Sequence, residues 1–556
     1  MFIKQTLKKL FKPITVTTFN LFFSLWITLG LNYGFLENLK KLTPYHGFQS
    51  VLFVIASGLV ITAFYNLIFQ IIHWKFNSKY FSAVWIMLGG MTAYFVNSLG
   101  VTITPEQIQN MVQTDSREAY DLITPHSIMW LMTFVVLPLI ALYFIEIKPE
   151  PITQTLIQKT LSSVASLMLI LSLMFVYYID YAAIFRENRD LKGMISPQNV
   201  IASTISYYKH SAPKQNLPLV PYGEDAHLIE RAQTLTQPKL MVLVVGETAR
   251  AESFSLNGYK RLTNPELAQL NIINFSQVSS CGTATAVSVP CMFSGMPRKE
   301  YDEQLASHRE GLLDIAKRVG YEVTWIDNNS GCKKVCDRVH TYMIPQEIKN
   351  KWCDAEGECH DEILVDALKA YISSLPKNDA VQHLIVLHQM GSHGPAYYKR
   401  STSKFQTFKP FCNTNAIQGC TRKELLNSYD NSIIYTDHVL STMIQELNQL
   451  SHYQTGFWYL SDHGESTGEH GLYLHGTPYR IAPTQQTHIP MFMWFSESWR
   501  NKQRNQIACL SAQKNATLSQ DYLFPTLLSL LDIKTKVINP NLNMINHCTS
   551  NALPRV

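Results

Sequence analysis

A five-helix transmembrane domain followed by an exported α/β domain is the fold this chain predicts, and three observations predict it. Five long apolar runs crowd the first third of the 556 residues. All ten cysteines lie beyond residue 280. The remainder alternates near-continuous apolar strands with amphipathic stretches, the pattern of a largely parallel sheet covered on both faces. Length alone calls for more than one domain. Only 16% of residues are charged, below the roughly 25% of ordinary soluble domains, and the deficit sits in the apolar first third. The net charge of +5 is diffuse, so no nucleic-acid partner is expected.

The apolar runs cover approximately 14–36, 50–72, 81–100, 126–145 and 161–179. Each approaches or meets the about 20 residues needed to cross hydrocarbon, and five in succession with short polar links are not core helices. The N-terminal text MFIKQTLKKLFK resembles a signal-peptide n-region, but the apolar run after it is too long and lacks a small-residue cleavage site. A retained anchor is expected. The N-terminus and the second and fourth links carry eight lysines, against three Lys and Arg in the alternate links. By the positive-inside rule the N-terminus is cytoplasmic, and everything after about residue 183 lies outside.

The third link, 101–124, is longer than the others. Asn110, Thr114 and Glu118 recur every four residues there, which places them on one helical face. Taken alone, a surface helix joining two spans is the simpler reading. Residues 183–235 read as a juxtamembrane connector, with the mildly amphipathic stretch ISPQNVIASTISYYKH suited to the membrane interface. The domain division is therefore 1–182, 183–235 and 236–556.

The cysteines fall as neighbours: Cys281 and Cys291, Cys332 and Cys336, Cys353 and Cys359, Cys412 and Cys420, Cys509 and Cys548. An even set confined to the exported part indicates disulfides formed in an oxidising compartment. Thiolate zinc sites compete weakly, because no close pair has a second pair at finger-like spacing. The exact pairing stays open. The simplest location is a bacterial inner membrane, facing the periplasm.

In the exported part the strand candidates are 239–246, 321–326, 383–388, 456–461 and 489–495. Ligands of such sheets bind beyond the carboxyl ends of strands, which singles out Glu247, His393, Asp462, His463, Glu465, His470 and His475. Carboxylates and imidazoles converging from separate strand ends suit zinc. No HExxH helix is present.

At these residues the chain resembles the phosphoethanolamine transferases of Gram-negative bacteria, most closely the lipid A enzymes that confer polymyxin resistance. The matching text is VVGETARAESFSLNGY at 244–259, CGTATAVSVPCMFS at 281–294, DNNSGCKKVCDRV at 327–339, GSHGPAYYKR at 391–400 and SDHGESTGEHGLYLHG at 461–476. The resemblance covers essentially the whole chain and implies an α/β/α catalytic domain of the alkaline phosphatase and sulfatase type. It implies Zn²⁺ held by Glu247, Thr285, Asp462 and His463, with Thr285 the nucleophile that carries phosphoethanolamine. It adds Asn329, Lys333, His393, Glu465 and His475 to the active site, and makes Asn110, Thr114 and Glu118 a headgroup-binding face, overturning the simpler reading of that link. The donor implied is phosphatidylethanolamine and the acceptor a phosphate of lipid A, with a core sugar such as Kdo or heptose as the alternative; a monomer is expected.

The residues support these roles on their own terms. Threonine needs help to ionise, and a nearby cation supplies it. The stretch GTATAVSV reads as a helix entrance, whose first amides aim at a transferring phosphoryl group. His393 and His475 are the candidates for proton transfer, their individual roles unassigned. Lys333 neutralises phosphoryl charge, and Glu465 either holds the ethanolammonium or orients a histidine. His470 is assigned no role.

Overall fold

The computed structural model describes residues 12–546 except 115, 212–216, 230–236, 356 and 377–379. The chain divides into two compact units, one of residues 1–108 and 123–210, the other of 109–122 and 211–556.

Among the described residues of the first unit, four helices are long and apolar enough to cross a membrane: α3 (Gly47–Ile72), α4 (Ser78–Leu99), α7 (Pro125–Phe144) and α8 (Ile152–Val176). The expected first span is a bent pair. Val16–Leu31 contains α1 (Val16–Trp26) and a closing π-turn, and it meets α2 (Tyr33–Leu42) at 64°. The break falls at Asn32, whose Nδ2 donates to Ile27 O at 3.0 Å and Ser196 O at 2.8 Å, while its Oδ1 accepts from Ser196 N. A side chain that satisfies the carbonyls of both its own helix and a distant turn competes with the helical ladder. Further in, Asn20, Asn66, Gln70 and Ser162 are hydrogen-bonded across α1, α3 and α8, which satisfies polar groups that hydrocarbon would leave unpaired.

The long link forms two helices, α5 (Pro105–Gln113) and α6 (Ser116–Asp121). Asn110 and Thr114 share the end of the first, where Thr114 N and Oγ1 both donate to Asn110 O at 2.8 and 2.6 Å. Glu118 belongs to the second, so the three residues do not lie along one continuous helix. A threonine hydroxyl that takes its own i−4 carbonyl favours such an ending.

The second unit is built on an eight-stranded sheet. Its strands are β1 (Lys239–Gly246), β2 (Ile273–Ser279), β3 (Glu322–Asp327), β4 (His340–Thr341), β5 (His383–His388), β6 (Gln454–Ser461), β7 (His488–Phe495) and β8 (Leu518–Ser519), in the spatial order β8-β2-β7-β6-β1-β5-β3-β4. β7 runs antiparallel to both neighbours and the other pairings are parallel. All eight residues of β1 are buried. Met241, Leu243 and Val245 enter a core with α9 (Thr285–Ser294), α10 (Leu312–Arg318) and α13 (Leu523–Leu530). The alternate residues Leu240, Val242 and Val244 point the other way, toward the layer of α11 (Glu362–Ser374) and α12 (Arg422–Asn448). This three-layer arrangement is the expected α/β/α fold. The sequence reading missed β2, whose Asn, Ser and Gln interrupt its apolar face, and α12, announced by the capping box Thr421–Glu424.

Four disulfides join Cys281 to Cys291, Cys332 to Cys336, Cys353 to Cys359 and Cys412 to Cys420. Each is a pair of sequence neighbours, and the bonded state removes the thiolate-zinc alternative. Cys509 is also disulfide-bonded; its expected partner Cys548 lies outside the described residues.

Candidate active site

β1 delivers Glu247 to the carboxyl edge of the sheet, and β6 delivers Asp462 and His463 beside it. All three side chains are fully buried. Thr248, next in the chain, takes a left-handed φ of 53°, which turns the backbone away from the strand. Gly391 follows β5 with φ +55°; a Cβ there would run into the backbone of Glu247. Only glycine lets that loop close over the backbone of Glu247, where Ser392 N donates to the Glu247 carbonyl at 3.0 Å.

Thr285 is the first residue of α9, after Ala284 in extended conformation. Its Oγ1 donates to Glu247 Oε2 at 3.0 Å and lies 3.3 Å from His463 Nε2. Asn329 Nδ2 donates to the same Glu247 oxygen at 2.9 Å and to Gln389 O at 2.7 Å. His463 Nε2 is 3.4 Å from Glu247 Oε1 and 3.2 Å from Asp462 Oδ2. Its Nδ1 faces Gly464 O at 2.9 Å, which keeps the proton on that side and leaves Nε2 free to ligate.

Glu247, Asp462 and His463 each offer an atom within 4.8 Å of the others. Among the described residues, Glu247 Oε1 and Asp462 Oδ2 are buried without a hydrogen-bond partner, an expensive condition unless a cation completes the cluster. Burial, reinforced by Asp462, pushes the Glu247 carboxyl well above its usual range. Two carboxylate oxygens, an imidazole nitrogen and an adjoining hydroxyl form an O/N set that fits a tetrahedral Zn²⁺.

Around this cluster stand the remaining expected residues. His475 Nδ1 is 3.3 Å from Glu465 Oε2, and its ring centre is 4.6 Å from that of His463 and 5.3 Å from that of His393. Burial disfavours the charged form of His475, but Glu465, Glu247 and Asp462 outweigh it and raise its pKa to about 9. Burial, with His475 beside it, lowers His393 well below the ordinary value. Lys333 Nζ donates to Ser330 O and Oγ at 3.0 and 2.9 Å.

Asn110 and Thr114 make no recorded hydrogen bond to this cluster among the described residues, and the side chain of Glu118 lies outside them. Their segment nevertheless belongs to the catalytic unit. Gln109 Nε2 donates to Ala286 O at 3.4 Å, one residue past Thr285. At the far end, Asp121 Oδ2 accepts from Arg400 at 3.0 Å, and Arg400 Nε donates to the carbonyl of His393 at 2.9 Å. Asp121 and Arg400 escaped the sequence reading, as did Gln520. The Gln520 amide accepts from Cys281 N and Ser288 Oγ at 2.6 and 2.8 Å and donates to Ser461 O and Asp462 O at 2.7 and 2.8 Å. It thereby clamps α9 to the end of β6, where Asp462 and His463 follow. Nothing in its local text, TLSQDY, signals this.

The three-layer sheet with a buried acidic cluster beside a helix-terminal hydroxyl belongs to the sulfatase class: residues 239–533 match the family model described as Sulfatase. Residues 61–212 match the model described as Phosphoethanolamine transferase EptA/EptB. The chain is 39% identical over 548 residues to phosphoethanolamine transferase EptA of Escherichia coli K12, covering 98% of this chain and 99% of that protein. It is 36% identical over 460 residues to phosphatidylethanolamine transferase Mcr-1 of Escherichia coli, covering 81% and 82%. The structure of the integral membrane lipooligosaccharide phosphoethanolamine transferase A from Neisseria meningitidis superposes with a TM-score of 0.90 at 34% identity, covering 96% of this chain and 99% of that one. The chain belongs to the phosphoethanolamine transferase family.

Proposed function

We propose that this chain transfers phosphoethanolamine from phosphatidylethanolamine to a phosphate of lipid A through a covalent phosphoethanolamine-Thr285, giving polymyxin resistance. It does so as a multi-span protein of the bacterial inner membrane, with a cytoplasmic N-terminus and a periplasmic catalytic unit. The placement of Thr285 Oγ1 against Glu247 and His463, at the start of α9, carries this reading. Glu247 accepts the hydroxyl hydrogen bond and lies in line to take the proton as Oγ1 attacks phosphorus. The first turn of α9 directs backbone amides at the phosphoryl oxygens. Lys333 adds positive charge, and Asn329 holds Glu247 in place. His475, oriented by Glu465, and His393, anchored through its carbonyl by Arg400, flank the site as the proton donor and acceptor for the departing diacylglycerol and the incoming acceptor. Zn²⁺ held by Glu247, Asp462 and His463 beside Thr285 would supply the charge that makes the hydroxyl easier to ionise. Asn110, Thr114 and Glu118 hold the donor headgroup.

Intact-mass analysis of protein incubated with phosphatidylethanolamine tests this reading. A phosphoethanolamine increment located on Thr285, not formed by protein chelated beforehand and formed again once Zn²⁺ is restored, is the expected result; transfer with no such increment overturns the covalent step. Mass analysis of lipid A from expressing cells identifies the acceptor, and an increment on Kdo or heptose would move it to the core sugars.

A further inference from the structure

Beside the nucleophile's helix lies a half-open cavity of about 360 Å³, within the size range of small-molecule sites. Of the residues assigned above, Lys333 alone lines it. Ala286 and Pro290 of α9 form one wall, starting one residue past Thr285, and Gln109 and Gln113, successive turns of α5, line it too. Phe293, Leu312 and Val335 make part of the lining apolar.

Four basic side chains, Arg309, Lys333, Lys334 and Arg338, share the lining with two acids, Glu303 and Asp314. Arg338 is occupied by Asp314 at 2.7 and 2.8 Å, and Lys333 by Ser330. Glu303, the other acid in the lining, accepts from the amide of Gln109. Arg309 gives one nitrogen to Ser294 O at 2.7 Å, but among the described residues its Nε is buried without a partner, as is the hydroxyl of Tyr301. Lys334 is exposed. The charge left uncompensated is therefore positive. Lys333 and Lys334 both hold left-handed backbone, with φ of 49° and 73°, in a loop closed by the Cys332–Cys336 bond. Such conformations are strained for residues with a side chain and persist only where the surroundings enforce them.

We propose that this groove seats the acceptor, a lipid-linked sugar bearing more than one phosphate. The inference rests on the covalent reading above and adds the place where the second substrate docks. A zwitterionic donor has one phosphate, which must sit at Thr285, and it leaves nothing for Lys334 and Arg309. An acceptor with two phosphates presents one as nucleophile and sets the other on these cations, its apolar part lying along the half-buried Pro290, Ala306 and Val335. The acceptor's phosphate oxygen forms the new P–O bond as the bond from phosphorus to Thr285 Oγ1 breaks. The electron pair returns to Oγ1, which recovers a proton from the site.

The two half-reactions separate in a rapid-mixing experiment on the full chain in mixed micelles. Lys334→Glu reverses the exposed charge, and Ala306→Trp fills the groove from its lining. Both variants should give the wild-type burst of diacylglycerol and the wild-type mass increment on Thr285. Transfer from that intermediate to bisphosphorylated lipid A should then slow about tenfold or more, as expected for a lost charge-assisted contact. Wild type should prefer bisphosphorylated over monophosphorylated lipid A, and K334E should lose the preference. Equal slowing of the burst would make the groove a donor seat, and wild-type rates in both halves would leave it without a role; either overturns the proposal. If wild type itself forms no covalent increment, the threonine reading fails separately, and an unchanged acceptor KM in K334E then decides against the groove. Should A306W fail to fold, K334E stands alone, since its side chain is exposed.

Discussion

Oγ1 of Thr285 lies within 3.3 Å of both Glu247 and His463, two side chains with no solvent exposure, so charge that develops on it meets fixed partners rather than water. Thr285→Ala removes one hydroxyl and opens little space. Its turnover should fall more than about a thousandfold, with a melting temperature near wild type and no covalent mass increment. Gln520 acts through others. Replaced by leucine, it takes the acceptor from Cys281 N and the donor from the carbonyl of Ser461, while Ser288 Oγ falls back on Asp462 O, and α9 loses one of its ties to the end of β6. We expect kcat for Q520L to drop about tenfold with KM for the lipid donor nearly constant, a loss of about 1.4 kcal/mol in the transition state alone. A rise in KM at constant kcat would place Gln520 in substrate binding instead.

At the scale of elements, buried or half-buried ion pairs tie segments distant in sequence to one another. Lys239 opens β1 fully buried, with Nζ 2.6 Å from Asp532 Oδ2 and 4.7 Å from the ring of Trp499. Lys239→Met should destabilise the catalytic unit by about 3–5 kcal/mol, because it leaves an unpaired buried carboxylate. Adding Asp532→Asn should restore part of the loss in thermal unfolding. His438 on α12 lies 3.0 Å from Glu266 and 3.7 Å from Glu362. The hydrogen bond to Glu362 raises its pKa above the ordinary 6.5, and burial opposes the rise. A raised folded pKa means that the pair's stabilisation is complete below pH 6.5 and fades as pH climbs through the folded value. His438→Gln should therefore lower the melting temperature at pH 6 and converge on wild type by pH 9, with an effect of about 1 kcal/mol for this partly exposed group. Equal loss at both pH values would mean that packing, not charge, is what the histidine contributes.

At the scale of the whole molecule, the legible parts were those with a local cause. Membrane spans announce themselves by composition, buried strands by continuous apolar text, and the site by polar residues just past strand ends. Asn32, Lys239, Asp121 and Gln520 were opaque because each takes its role from a partner far away: Ser196 lies 164 residues from Asn32, and Leu530, which accepts from Lys239 Nζ, lies 291 residues on. Orientation in the sheet was opaque as well, since β7 carries the same apolar text whether it runs parallel or antiparallel. The segment 109–122 belongs with the catalytic unit and is tied to it through Asp121 and Arg400. Asp121→Asn should thus weaken transfer from bilayer phosphatidylethanolamine more than turnover of a small soluble analogue. A catalytic unit fused to a foreign anchor, lacking the segment altogether, should show the same split, and matching wild type on lipid would refute it.

The Asp121–Arg400 pair also sets a clock for biogenesis. Its partners are separated by 279 residues, and chains grow at about 5–20 residues per second. Helix α6 therefore leaves the ribosome on the order of tens of seconds before the arginine that holds it has been made. For that interval a polar segment flanked by two membrane helices must remain unpaired at the translocon, open to whatever chaperone or protease reaches it first.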